Sequence, residues 1–273
     1  MRSKHFFLIL SLFLLVQIIS RPALASGAIS ARHAILIDGD SGEVLFEKDA
    51  HVRVPMASTT KIMTALAVLE ALPLTTTVAV PAEAVGTEGS SAYLKAGEIL
   101  SVKDLLHALL LQSANDAAVA LAIAADGSVP AFAERMNRIA KSLGLSETHF
   151  DNPHGLDSDT HYTTAYDLAI LSAYAMHTPA FASIAAKKAY TCRSSLTLHS
   201  FANHNKLLRL SPYGVGVKTG FTKKSGRCLV GAAKKDGTLL ISVTLNAPND
   251  WQDHLFLWKL GFSALGIDHE QSK

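Results

Sequence analysis

Arg32-His33-Ala34-Ile35-Leu36-Ile37-Asp38-Gly39-Asp40-Ser41-Gly42-Glu43-Val44-Leu45-Phe46-Glu47 consists of two short apolar runs around a polar, glycine-containing centre. Asp and Ser side chains fold back on their own backbone and glycine accepts a left-handed φ, so this stretch reads as a β-hairpin. A sheet therefore opens the fold.

Toward the C-terminus, Ser58 to Ala71 sets Ile62, Ala65, Leu66 and Leu69 at helical spacing, and Pro73 ends the pattern. The same period recurs over Val102 to Leu111, Asp116 to Ala125, Pro130 to Leu143 and Thr164 to His177, with Gly127-Ser128 and Gly144 as breakers. Short strands are expected at Ala92 to Leu94 and Glu98 to Leu100, joined through Ala96-Gly97. Strands return at Gly216 to Thr219, Arg227 to Ala233 and Thr238 to Asn246, the last two linked by the turn Lys235-Asp236-Gly237. Trp251 to Ala264 closes the pattern as an amphipathic helix, with packing on the sheet favoured over a membrane-surface role for Leu255, Phe256, Trp258 and Leu260. The expected fold is mixed α/β. An antiparallel sheet is flanked by helices, and a helical subdomain over about residues 78–180 is inserted between its first and later strands.

Residues 1–25 read as an address. Arg2, Lys4 and His5 precede an apolar run from Phe6 to Ile19, and Ala23-Leu24-Ala25 is a small-residue cleavage sequence, so a secretory signal and an exported protein are expected. The run is short for a spanning helix; retained uncleaved, it would tether the N-terminus to a membrane. Residues 26–273 remain as one domain. The chain is 49% hydrophobic and 18% charged, with a net charge of +2, a globular composition without the basic footprint of a nucleic-acid partner. Its 12 histidines include no His-Glu-x-x-His or other local ligand array, so neither a metal nor another cofactor is expected. Cys192 and Cys228 are read either as one disulfide, which export permits, or as two separate small core residues.

Chemistry concentrates in Ser58-Thr59-Thr60-Lys61, Ser113-Ala114-Asn115 and Lys218-Thr219-Gly220. At the start of a helix, Ser58 lies near backbone N–H groups that favour developing negative charge, and Lys61 is one turn away on the same face. A hydroxyl needs an adjacent base to act as a nucleophile, and a lysine amine serves if it is held uncharged. The plain alternative is an N-cap serine beside a solvated lysine. Ser113 and Asn115, in a loop between helices, offer a proton relay and an amide donor and acceptor. Lys218 brings a second positive charge on a strand, Thr219 a hydroxyl, and Gly220 an edge that substrate backbone can approach.

Together these motifs resemble the Ser-x-x-Lys, Ser-x-Asn and Lys-Thr-Gly set of penicillin-binding proteins and serine β-lactamases. Pro55 to Thr64, Asn152-Pro153-His154-Gly155-Leu156-Asp157 and Val217 to Thr222 are similar, more specifically, to low-molecular-mass D-alanyl-D-alanine carboxypeptidases, a likeness running from about Ala34 to Leu260. The resemblance implies that Ser58 is acylated, Lys61 is its base, Ser113 relays the proton, and Asn115 contacts substrate and Lys61. It implies that Lys218, Thr219 and Thr222 receive a terminal carboxylate beside Gly220, with the N–H groups of Ser58 and Phe221 as oxyanion hole. It further implies a peptidoglycan stem peptide ending in D-Ala-D-Ala as substrate and β-lactams as inhibitors. His154 is read as structural. Ala114 departs from the glycine or aspartate of some members. Many relatives continue into an all-β domain and an amphipathic anchor, whereas this chain stops at Lys273, so attachment by that route is not expected. A β-lactamase would carry a deacylating Glu followed by Leu-Asn. Glu134 and Glu147, the glutamates between Asn115 and Lys218, lack that context. Endopeptidase action and a non-catalytic peptidoglycan-binding role are the remaining alternatives.

Overall fold

The computed structural model describes residues 29–268; the signal assigned to residues 1–25 lies outside them. The hairpin forms as β1 (His33–Asp38) and β2 (Val44–Lys48), turned where Asp38 Oδ1 accepts the N–H groups of Asp40 and Ser41 at 2.9 and 2.8 Å. β1 also pairs with the C-terminal β9 (Thr238–Leu245), which continues through β8 (Gly226–Lys235) to β7 (Gly214–Thr222). The sheet order is β2-β1-β9-β8-β7, antiparallel throughout, with β7 at one edge.

Alternation along the strands explains why both faces are covered. Leu36, Leu229 and Leu240 point to one side, where they pack with Leu257, Trp258 and Phe262 of α8 (Asp250–Ala264). Ile35, Ile37, Val230, Ile241 and Val243 point to the other and join the main core. There α1 (Lys61–Ala71) and α5 (Ala165–Met176) pack beneath α2 (Val102–Leu111), α3 (Asn115–Asp126) and α4 (Val129–Ser142). Polar groups under α8 are paired too: His254 bonds Ser242 Oγ at 2.6 Å and Thr244 Oγ1 at 3.0 Å, and burial pushes its imidazole down to about 3. Among the described residues no single helix is long and apolar enough to cross a membrane.

The helices and main strands fall where the periodicity places them. Ala92 to Leu94 is a correction: it is irregular, and β4 (Ile99–Ser101) pairs instead with β3 (Thr77–Ala79). β3 goes unread in the sequence, as do the hairpin β5 (Ala189–Arg193) with β6 (Leu198–Ala202), α6 (Pro179–Ala185) and α7 (Leu207–Leu210). Cys192 and Cys228 are both free thiols, so the unbridged reading holds.

Candidate active site

Ser58 stands on a tight 3-10 turn, Ala57–Thr60, that runs directly into α1. Two threonines build the turn: Thr59 Oγ1 donates to Met56 O at 2.6 Å and Thr60 Oγ1 to Ala57 O at 2.7 Å. Ala57 takes a φ of +49, a strained value for a residue with a Cβ. No cap bond from a side chain is made at the start of α1, so the N-cap reading of Ser58 gives way to a serine whose Oγ faces Lys61 Nζ at 3.0 Å.

Lys61 is fully buried, and its amine meets two further oxygens, Asn115 Oδ1 and His154 O, each at 2.6 Å. Asn115 Nδ2 donates to Glu88 O, which fixes the orientation of the amide and leaves Oδ1 as an acceptor toward Lys61. Two of the three partners can therefore only accept. An uncharged amine satisfies both with its two N–H bonds and presents its lone pair to the Ser58 hydroxyl. Burial, then the nearby charge of Lys218, hold the Lys61 amine well below the ordinary lysine range, against a smaller opposing pull from Asp116. Lys218 is itself buried at the β7 edge, where desolvation brings it down to about 7; it donates to Ser113 Oγ at 3.0 Å and Thr219 O at 2.8 Å. Ser113 takes a left-handed φ of +63 immediately before α3.

Two glycines permit the close approaches. A Cβ on Gly220 would lie 3.1 Å from Ser58 N, so the edge of β7 runs against the serine turn. A Cβ on Gly155, at φ +90, would lie 2.0 Å from Ala57 O. The Asn152–Asp157 loop thus rests on the same turn from below. Thr64 Oγ1 holds Pro153 O at 2.6 Å, one residue before the carbonyl that meets Lys61. His154 and His161 are pushed down to about 3 and about 4, chiefly by burial, so both imidazoles are neutral beside Lys61. His161 Nδ1 accepts from Asp151 N at 3.0 Å, so its Nε2–H points to Thr60 Oγ1, 2.8 Å away.

The site thus brings Ser58, Lys61, Ser113, Asn115, Lys218 and Gly220 together. Thr219 is half-buried beside Lys218, and the Phe221 side chain is exposed. The Thr222 hydroxyl turns toward Asp157 Oδ1, at 3.1 Å, and Ser225 Oγ, at 3.0 Å. The supporting roles of Thr60, Thr64 and Asp116, which sit in or beside the motifs, and of His161, 101 residues from Thr60, went unread in the sequence. Among the described residues no cluster of three or more His, Cys, Asp or Glu side chains could hold a metal ion.

The family model for D-alanyl-D-alanine carboxypeptidases, peptidase S11, matches residues 18–249. The chain belongs to that family. Among curated members, DacF of Bacillus subtilis (strain 168) is 36% identical over 80% of this chain and 57% of its own length. DacC of Escherichia coli (strain K12) is 39% identical over 82% of the chain and 58% of its own length. This D-alanyl-D-alanine carboxypeptidase family chain thus spans less than two thirds of either relative. A solved Streptomyces K15 DD-transpeptidase superposes with a TM-score of 0.82 at 32% identity, covering 86% of this chain and 98% of that one. The mixed α/β architecture is therefore that of solved DD-peptidases, and the resemblance carried by the three motifs is confirmed.

Proposed function

We propose that this protein is a serine-type D-Ala-D-Ala carboxypeptidase that removes the terminal D-alanine from peptidoglycan stem peptides. The observation that carries this reading is the environment of Lys61: a buried amine with two carbonyl acceptors and the Ser58 hydroxyl as its third neighbour. Lys61 takes the proton of Ser58 as Oγ attacks the penultimate carbonyl. The Oγ–C bond forms, the C–N bond breaks, and Ser113, backed by Lys218, passes a proton to the departing D-Ala amine. The N–H groups of Ser58 and Phe221 receive the developing oxyanion, donors typically contributing about 3–4 kcal/mol each. Lys218 and Thr219 receive the substrate carboxylate, Gly220 leaves the strand edge open to peptide backbone, and Thr222, its hydroxyl bonded to Asp157 and Ser225, lies farther along the same edge. Water then cleaves the Ser58 ester. β-Lactams enter by the same steps and remain as adducts. The proposal needs no metal or cofactor and places the enzyme outside the cytoplasm, at the wall, by way of the leader in residues 1–25, with residues 26–273 as one catalytic domain.

The likeness to solved DD-transpeptidases favours one second reading, in which an amine rather than water takes the acyl group. Incubation with a peptide ending in D-Ala-D-Ala tests both. Release of one D-alanine per peptide without an added amine is expected. New peptide bonds formed only with an acceptor amine would make the protein a transpeptidase, and rapid multiple turnover of penicillin would make it a β-lactamase.

A further inference from the structure

Residues 88–94 lie against the site residue Asn115, pinned to it and to Asp116, the first two residues of α3. Asp116, buried, accepts from Ser91 Oγ at 2.6 Å and from the N–H groups of Ala92 and Leu94 at 3.0 and 3.1 Å. Asn115 donates its backbone N–H to Ser90 O at 2.7 Å and its side-chain amide to Glu88 O. Within this pinned stretch Tyr93 is held at φ +59, its N–H bonded to Ser91 Oγ at 2.8 Å. A residue with a Cβ pays for that conformation in free energy, and strain of this kind gathers at ligand clamps. The Tyr93 side chain returns no packing to the fold, being 81% exposed. Phe221, another bulky exposed side chain at 66%, follows Gly220, the residue that touches the Ser58 turn.

The direction of β7 says which part of a ligand these rings meet. With a terminal carboxylate at Lys218 and the scissile carbonyl at Ser58, the acyl portion of a peptide runs toward Phe221 and Thr222 and past Asn115. Phe221 is on that stretch of strand, and Tyr93 is on the segment bonded to Asn115 and Asp116. Resting on the carboxypeptidase reading of the same cleft, we propose that Tyr93 is a specificity-determining contact. It grips the acyl portion of an extended stem peptide, the amide planes and aliphatic side-chain stems that precede D-Ala-D-Ala.

Steady-state kinetics on acetyl-D-Ala-D-Ala and on a pentapeptide ending in D-Ala-D-Ala test the proposal, with Tyr93→Ala, Tyr93→Phe and Tyr93→Gly compared with wild type. Loss of an aromatic contact corresponds to roughly a three- to tenfold rise in KM for the pentapeptide in the Ala and Gly variants. The pentapeptide kcat and the kcat/KM for the short substrate are expected to stay within about twofold, and Tyr93→Phe to keep the preference for the longer peptide. Tyr93→Gly, which suits a positive φ, is expected to unfold at or above the wild-type temperature, separating the kinetic effect from damage to the fold. An equal loss on both substrates, or an unchanged pentapeptide KM in folded Ala and Gly variants, would overturn the proposal. Wild-type protein that releases D-alanine from neither peptide would overturn the carboxypeptidase reading and this inference with it.

Discussion

Gly155→Ala tests the packing that holds the nucleophile. The added methyl carbon would lie 2.0 Å from Ala57 O, 2.5 Å from Ala57 C and 2.8 Å from Thr60 Oγ1, with the backbone at φ +90. Two of those neighbours are backbone atoms, so no flexible side chain can swing aside. Non-bonded carbons rest at roughly 3.5–4 Å, so the turn and the loop must separate by more than about 1 Å. A left-handed conformation costs a residue with a Cβ about 1–2 kcal/mol, and overpacking a close-packed site about 1–3 kcal/mol, so a loss of about 2–5 kcal/mol is expected. The displacement also reaches the chemistry, because the carbonyl of His154, the preceding residue, is one of the three partners of the Lys61 amine. A misplacement of about 1 Å at a reacting group is worth about 100-fold in rate. Urea denaturation and the second-order rate of penicillin acylation, followed by intact mass, read the two effects separately. A Gly155→Ala protein within about 0.5 kcal/mol and about twofold of wild type would refute this account of the turn.

The pH dependence of stability offers two further tests. Lys218 has a folded pKa of about 7 against an ordinary value of 10.5, so between those limits the unfolded chain binds a proton that the native state does not. Stability should therefore rise with pH across that window in wild type relative to Lys218→Met, and an equal pH slope in both proteins would contradict a depressed Lys218. His154 and His254, pushed down to about 3, and His161, to about 4, are neutral when folded and protonate when unfolded below the ordinary value of 6.5. Stability should fall as pH drops from 6.5 toward 4, at about 1.4 kcal/mol per pH unit for each fully titrating histidine, and a flat urea-denaturation profile between pH 6.5 and 5 would contradict the neutral assignment.

Local patterns in the sequence carried most of the fold. α2 occupies the expected Val102–Leu111, helped by a capping box in which Ser101 and Asp104 bond each other's backbone N–H groups. Ala92 to Leu94 misled because the N–H groups of Ala92 and Leu94 go to Asp116, more than 20 residues away, and that of Tyr93 to Ser91 Oγ, rather than to a strand. The β5–β6 hairpin is hard to read because its connection, Ser194-Ser195-Leu196-Thr197, has neither glycine nor asparagine to mark it. In the site, Ser58 and Lys61 were legible because one helical turn joins them. The Thr60–His161 and Thr64–Pro153 bonds span 101 and 89 residues, and no local periodicity records such pairs. The positive φ of Ser113 was equally hidden, since nothing in a serine announces it.

The central claim is that Ser58 is the residue acylated, with its proton taken by the Lys61 amine 3.0 Å away. Intact-mass measurement after incubation with penicillin, followed by peptide mapping, addresses it most directly. One added penicillin is expected on the peptide containing Ser58, persisting for minutes or longer, with no adduct on folded Ser58→Ala protein. An adduct that persists in the folded variant, or one mapped to another residue, would contradict it.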